Sequence, residues 1–240
     1  MAGPLEQFEV KPIVPIKLGT LDASFTNASL FMALAVVAIT VFLVGGMRGR
    51  ALVPGRWQSM AEMSYGFIAG MVRENVGSQG RQYFPFVFSL FMFILFGNLL
   101  GMIPYSFTFT SHIIVTFAMA AIVFLLVTLV ALFRHGLHFF SYFFPQGAPV
   151  AMAPLIIPIE ILSYLSRPVS LSIRLFANMM AGHTMLKVFA IFTVAMGIFG
   201  FAPLAVNVAL TGFEVLVAVL QAYVFTILTC LYLHDAIHLH

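Results

Sequence analysis

Charge is what this sequence has least of. Only 8% of its 240 residues are charged, with 11 Lys or Arg and 8 Asp or Glu, whereas 62% are hydrophobic. An ordinary soluble domain carries about 25% charged residues. So few charges cannot cover the surface of a water-soluble globule of this length, so the composition excludes a soluble enzyme and indicates an integral membrane protein.

Cysteine and basic clusters are scarce as well. The single cysteine, Cys230, lies in an apolar stretch, which excludes a disulfide scaffold and a cysteine-based metal site. Despite a net charge of +3, no basic cluster lies on a polar face, so we expect no nucleic-acid binding. The phosphate-binding pattern Gly-x-x-x-x-Gly-Lys-Ser/Thr is missing, so ATP chemistry is not expected in this chain. We predict no cofactor and no metal site. Every histidine except His183 is interpreted as solvated: His112, His135, His138, His234, His238 and His240.

Long apolar runs are what the sequence does contain. Residues 28–47, 84–104 and 112–133 are each long enough to cross a hydrocarbon core of ~30 Å at ~1.5 Å per residue. These runs are unbroken rather than alternating, which favours helices over a β-barrel. They predict three membrane-spanning helices.

The run at 149–196 is too long for one upright span. A straight helix of that length would measure ~70 Å, more than twice the thickness of the hydrocarbon core. No polar turn divides it, so we expect one long helix that is tilted, or bent near Pro158 or Pro168. A tight apex at 197–203 would then lead into a last helix at 204–234, giving a long tilted hairpin.

The remaining segments complete an all-α membrane protein with about five membrane-embedded helices, organised as a single domain over 1–240. Residues 1–27 are mixed in character and predict an irregular, water-exposed segment. Residues 55–76 repeat apolar side chains at helical spacing with polar ones between them, which is typical of an amphipathic helix in the membrane interface.

Arginine placement predicts the orientation. The segment between the first two spans holds five arginines: Arg48, Arg50, Arg56, Arg73 and Arg81. Arg134 follows the third span, whereas the loops at 105–111 and 197–203 carry no charge. By the positive-inside rule, the N-terminus lies outside, and 48–83, 134–148 and the C-terminus lie inside.

Ionisable residues stand within the hairpin itself: Glu160, Arg167, Arg174, His183 and Glu214. A charge at mid-membrane costs at least ~2.5–3.5 kcal/mol on insertion scales, so such residues usually have a function. Glu160, Arg167 and Arg174 recur every seven residues and share one helix stripe, which Asn178 extends by one turn.

Folding the hairpin about its apex predicts which polar residues lie at the same height. In an antiparallel pair, level residues have a constant sum of numbers. This places His183 beside Glu214, Arg174 at the level of Gln221, and Glu160 at the level of Asp235.

Arg174 is the candidate functional residue. Its guanidinium keeps its proton at any relevant pH, so it is a fixed positive charge and not a proton relay. Gln221, at its level, is neutral, and Glu160 is ~21 Å away along the helix. The missing acidic partner would therefore come from another subunit or from a substrate.

Three segments resemble those of a known family. Residues 166–183 (SRPVSLSIRLFANMMAGH), 221–226 (QAYVFT) and 98–104 (NLLGMIP) match signatures of subunit a of rotary proton-translocating ATP synthases. The resemblance covers about residues 28–235. It implies a stator subunit beside a rotating ring of c subunits, each with a membrane-embedded carboxylate. It also implies peripheral-stalk b-type subunits, the lipid bilayer and protons as partners.

The resemblance also implies roles for residues. Arg174 would face the ring carboxylates and separate two proton half-channels, and Asn178 and Gln221 would hold Arg174 and line the path. The further channel-lining positions are Glu160, Ser170, His183 and Glu214. For Arg167 and Asn98, a structural and a channel role both remain open.

One departure from the enterobacterial pattern narrows the resemblance. At His183 and Glu214 the histidine and the glutamate are exchanged, as in mitochondrial and alphaproteobacterial members. A complementary exchange indicates direct contact, and the pair suits proton handover. We expect a bacterial inner membrane rather than a mitochondrial one. Two alternatives stay open: an ion-coupled secondary transporter whose Arg174 binds an anionic substrate, and a scaffold that assembles other membrane subunits.

Overall fold

A computed structural model describes most of the chain. The described residues are 9–15, 17–18, 21–22, 24–49, 51, 53–103, 106–136, 139 and 152–238. The predicted end of a span at Pro104, the first residues of the predicted long helix (149–151), most of the predicted cytoplasmic segment 134–148, and the histidines His138 and His240 lie outside them.

Six α-helices make up the described fold, which confirms the all-α prediction. They are α1 (Asn27–Met47), α2 (Arg56–Asn75), α3 (Phe84–Gly101), α4 (Ile113–His135), α5 (Ala153–Ala195) and α6 (Phe201–Ile237). Short 3-10 segments lie at Ser78–Tyr83, Phe109–Ser111 and Gly197–Gly200. Among the described residues, every helix except α2 belongs to a segment long and apolar enough to cross a membrane.

The segment before α1 contains short strands where the sequence predicted irregular structure. β1 (Pro12–Val14) pairs antiparallel with β4 (Phe25–Thr26), and β2 (Lys17–Leu18) pairs with β3 (Leu21–Asp22). The composition of this segment could not predict these strands, because they form by backbone pairing between residues that are separated in the sequence. Thr26 then caps α1, because its hydroxyl accepts a hydrogen bond from the Ser29 amide at 3.4 Å.

α2 packs on its neighbours through Ala61, Ile68, Met71 and Val72. Gln58, which the sequence placed on the polar face, is instead buried. Its side-chain amide donates to Glu62 at 2.7 Å and to the Ala51 carbonyl at 3.4 Å, so the buried polar group has hydrogen-bond partners.

α5 and α6 form the predicted hairpin. α5 runs unbroken for 43 residues through Pro158 and Pro168. At ~1.5 Å per residue it is about 64 Å long, so it cannot stand upright in a hydrocarbon core of ~30 Å. The reversal at Gly197–Gly200 uses a positive φ of 54° at Gly197, a conformation that favours glycine.

The core joins α3 and α4 to this hairpin. Its fully buried side chains include Ile94, Val123, Leu175, Met179 and Phe225. Gly97 and Gly101 on α3 let the segment before α4 approach closely, because a Cβ at Gly97 would lie 2.4 Å from the Phe109 ring. This contact brings Phe109 and its polar neighbours against the middle of the hairpin.

Candidate functional site

Arg174 lies on the exposed face of α5. Its side chain makes no ion pair or hydrogen bond with any residue that the structure describes. The exposed surface around it is largely apolar and includes Val169 and Ile173, whose side chains are 44% and 47% exposed. A permanent cation on an apolar surface needs a counter-charge from outside the described chain.

The predicted stripe around Arg174 is partly realised. Ser170 is exposed one turn before Arg174, and Asn178 is half-buried one turn after it. Gln221 on α6 is also half-buried. Neither Asn178 nor Gln221 hydrogen-bonds to Arg174 within the described residues, so the predicted holding contact is not present in this chain alone.

His183 and Glu214 form the predicted pair across the hairpin. Nδ1 of His183 contacts Oε1 of Glu214, and the two side chains are only 4% and 3% exposed. The hairpin arithmetic is therefore confirmed for this pair. The second carboxylate oxygen, Oε2, is buried and has no hydrogen-bond partner among the described residues.

Gly182 gives the glutamate its space. A Cβ built at Gly182 would lie 2.7 Å from Oε1 and 3.0 Å from Cδ of Glu214. Such distances are shorter than real side-chain contacts allow. The absence of a side chain at this position is what lets α6 bring its carboxylate against α5.

Thr108 is the third member of this buried cluster, and the sequence analysis missed it. Its hydroxyl lies 2.7 Å from Nε2 of His183 and 3.2 Å from the Gly101 carbonyl. The sequence did hold a signal, because hydroxyl side chains concentrate in one short loop: Ser106, Thr108, Thr110 and Ser111.

A cleft of about 410 Å³ runs along the hairpin between α5 and α6. Its polar lining comes from Asn178, Glu214 and Gln221, and the remaining lining is apolar apart from Gly182. Glu214 of the buried pair therefore lines the same cleft as Asn178 and Gln221.

Arg167 and Asp235 form a second polar cluster. The Arg167 guanidinium lies 3.3 Å from Asp235 and about 5 Å from the ring centres of two tyrosines, Tyr164 at 5.3 Å and Tyr232 at 5.0 Å. The sequence predicted only that Glu160 lies at the level of Asp235, and the side chain that contacts Asp235 is Arg167, one stripe position further along α5. Glu160 is half-buried and unpaired among the described residues.

Asn98 binds across helices. It is fully buried, and its amide donates to the Ala218 carbonyl of α6 at 3.1 Å. This bond ties α3 to the hairpin within one turn of Glu214, which is a structural contact.

The histidine expectation needs correction at His112. Its ring stacks on Phe107 with 4.9 Å between centres, and its buried Nε2 has no hydrogen-bond partner among the described residues. Burial lowers the pKa of His112, so the ring is neutral at neutral pH. No group of three or more potential metal ligands occurs within the described part of the chain.

Comparison with known proteins identifies the family. Residues 29–234 match the family model "ATP synthase A chain". This chain belongs to the ATP synthase subunit a family. An ATP synthase subunit a of Paramagnetospirillum magneticum is 60% identical over the full length of both chains.

Two further relatives agree. The subunit a of Parvibaculum lavamentivorans is 60% identical over 98% of this chain and 93% of its own length, and that of Rhodospirillum rubrum is 55% identical over all of both chains. The predicted resemblance to ATP synthase subunit a, and to its alphaproteobacterial members in particular, is therefore confirmed. This protein is a membrane component of an ATP synthase.

Proposed function

We propose that this chain is the stator subunit in which Arg174 faces the carboxylates of a rotating c-ring and separates two proton half-channels. The observation that carries the proposal is the guanidinium of Arg174, which projects from an apolar face without a counter-charge among the described residues. A carboxylate on each ring subunit would supply that charge in turn.

The physical logic follows from the fixed charge. A carboxylate that moves through lipid must be protonated, because an ion there is costly. Next to Arg174 the ionised form is favoured, so the carboxylate releases its proton on arrival. Leaving the arginine for lipid requires a new proton. If the two aqueous paths open on opposite sides of the membrane, rotation and proton flow are coupled.

The outer path would include His183, Glu214, Asn178 and Gln221. The buried pair lies between Arg174 and the apex of the hairpin, and the positive-inside rule assigns the apex to the outer side. The cleft that Glu214 lines together with Asn178 and Gln221 supports this assignment. A proton on the pair can move between Nδ1 of His183 and the Glu214 carboxylate, because these atoms are in direct contact.

The inner path would use Glu160, near the start of α5, and Ser170, one turn before Arg174. Arg167, held by Asp235, would structure this end rather than carry protons. Peripheral-stalk b-type subunits would hold the chain still against the ring. The ATP chemistry belongs to partner subunits, and the chain acts as one domain of a bacterial inner membrane, with its N-terminus outside and its C-terminus inside.

The alternative of a secondary transporter has no support from the comparisons, since the full-length relatives described above are named ATP synthase subunit a. The comparisons favour no other function class either.

Substitution of Arg174 tests the proposal. Arg174→Ala and Arg174→Lys should each reduce proton-driven ATP synthesis in membrane vesicles by at least about 100-fold, since breaking a buried ion pair costs ~3–5 kcal/mol. Lysine should not rescue, because its compact ammonium lacks the planar fork and loses its proton more readily in lipid. Arg73→Lys is the matched control, an exposed arginine on α2. Coupled synthesis near the wild-type rate in Arg174→Lys would contradict the proposed role.

A further inference from the structure

The buried pair has a polar neighbour to which neither the family motifs nor the proposed pathway gives a role. Thr108 is 1% exposed and comes from the segment between α3 and α4, outside the hairpin. Its hydroxyl is 2.7 Å from Nε2 of His183, on the side of the ring opposite Glu214. His183 is therefore held at both nitrogens by groups from two different parts of the chain.

The hydroxyl of Thr108 has a choice of acceptor. It can donate its hydrogen to the Gly101 carbonyl, 3.2 Å away, and then accept a hydrogen bond from Nε2–H of His183. It can equally donate to Nε2 when that nitrogen carries no proton. In the second arrangement the Gly101 carbonyl keeps a partner, because the Ser106 hydroxyl also donates to it at 3.0 Å.

In either arrangement the Thr108 hydroxyl, Nε2 of His183 and the Gly101 carbonyl each keep a hydrogen-bond partner. A buried donor or acceptor without a partner is costly, and the cost is larger for a charged group. With Thr108 present, the imidazole of His183 can gain or lose a proton without rotating away from Glu214. The threonine itself neither takes nor gives up a proton overall, and only its hydrogen turns.

The fold fixes the position of Thr108 tightly. A Cβ at Gly101 would lie 2.4 Å from the Thr108 hydroxyl oxygen, so the glycine is needed for this approach. The Ser111 hydroxyl donates to the Thr108 carbonyl at 2.6 Å and fixes the backbone. Phe109 is fully buried against Gly97, which lies one turn before Gly101 on α3. The hydroxyl is therefore placed by packing and does not depend on His183 for its location.

We infer that Thr108 is a positioning residue for the proton pathway: its hydroxyl holds the His183 ring against Glu214 in both protonation states of Nε2. The inference rests on the proposed function of the His183–Glu214 pair. It adds a residue from outside the hairpin to the pathway, and it assigns a purpose to the glycine spacing on α3.

The test compares side chains at residue 108 in the assembled complex in membrane vesicles. Thr108→Ser and Thr108→Ala differ by one oxygen atom, and Thr108→Val keeps the shape of threonine without the hydroxyl. We expect Ser to retain most of the proton flux and Ala and Val to lose at least about tenfold. Thr110→Val is the matched control, since Thr110 is equally buried in the same segment but its hydroxyl has no partner among the described residues.

A second readout reports on the histidine directly. Nitrogen NMR of the complex with isotope-labelled histidine should show a shifted His183 Nε2 signal in Thr108→Val and an unchanged one in Thr110→Val. A purely structural role of Thr108 would disturb flux without this selectivity. The signal is assigned by its loss in His183→Ala.

The outcomes separate the two proposals. If His183→Ala lowers proton flux but Thr108→Ala matches the wild type, the positioning role is wrong and the pathway stands. If neither change lowers flux, the pathway through His183 fails first. Equal losses in Thr108→Ser and Thr108→Ala, or in Thr110→Val and Thr108→Val, would also overturn the inference, because they would reflect packing alone. On a His183→Ala background, Thr108→Val should have no further effect.

Discussion

A carboxylate and an imidazole buried side by side hold a proton in a way that neither group could alone. Glu214 and His183 are both almost fully buried, and each would be costly to ionise in isolation. In contact, a charge on one is matched by a charge on the other, or both become neutral when the proton crosses.

This contact predicts strong coupling between the two positions. His183→Ala and Glu214→Ala should each lower proton flux in vesicles by about tenfold or more, since each leaves the partner buried without its counterpart. The double variant should be little worse than either single one. Proton flux measured over the complete double-mutant cycle checks the prediction. Losses that multiply across the cycle would mean that the two side chains act separately.

At the scale of helices, small residues decide how closely elements approach. Gly97 and Gly101 bring the 106–112 segment onto α3, and Gly182 brings Glu214 of α6 onto α5. The close approach of α5 and α6 at the site therefore depends on glycine at residue 182 as well as on the polar residues.

Gly182→Ala should accordingly damage the site without removing any polar group. The new methyl would lie 2.7 Å from Oε1 of Glu214, so either the carboxylate or the helix must move. We expect lower proton flux together with a destabilisation of ~1–3 kcal/mol, the usual range for overpacking. Thermal unfolding of the purified complex and flux in vesicles measure the two effects.

Gly66→Ala is the control for that substitution. Gly66 is exposed in α2 and has open space where a Cβ would go. Alanine should be neutral or slightly stabilising there, because it favours helix more than glycine does. A Gly182→Ala variant that behaved like Gly66→Ala would mean that the contact with Glu214 is not tight.

A contact between two helices that are consecutive in the chain could be predicted from the sequence, whereas a contact that involves a third segment could not. The His183–Glu214 contact follows from antiparallel geometry and one apex, so counting residues was sufficient. The same counting did not predict the contact between Asp235 and Arg167, because side-chain reach and the offset between two long helices determine which residue Asp235 meets. The hydroxyl-rich loop was visible in the sequence, but the contact of Thr108 with His183 could not be predicted, since it depends on how the 106–112 segment packs against Gly97 and Gly101 of α3.

At the scale of the whole molecule, Arg174 and the His183–Glu214 pair lie on opposite sides of the hairpin. Arg174 stands on the exposed side of the hairpin, whereas His183 is nine residues further along, on the buried side. A turn of 3.6 residues makes that separation about half a revolution. The His183–Glu214 pair therefore faces the interior of the subunit, and the fixed charge of Arg174 faces outward.

This two-sided arrangement predicts which positions of α5 a ring subunit can reach. Ser170 is exposed one turn from Arg174, whereas Ser172, two residues away, is buried at 1% exposure. Ser170→Cys should therefore form a disulfide with a cysteine placed beside the membrane carboxylate of a c subunit under mild oxidation, and Ser172→Cys should not. The native Cys230 is fully buried and should stay silent, so the wild-type chain serves as the blank. Gel analysis of the cross-linked product gives the result. Equal cross-linking at both serines, or cross-linking at Ser172 alone, would place the ring on the other face of the hairpin, because side chains two residues apart on a helix point about 200° apart.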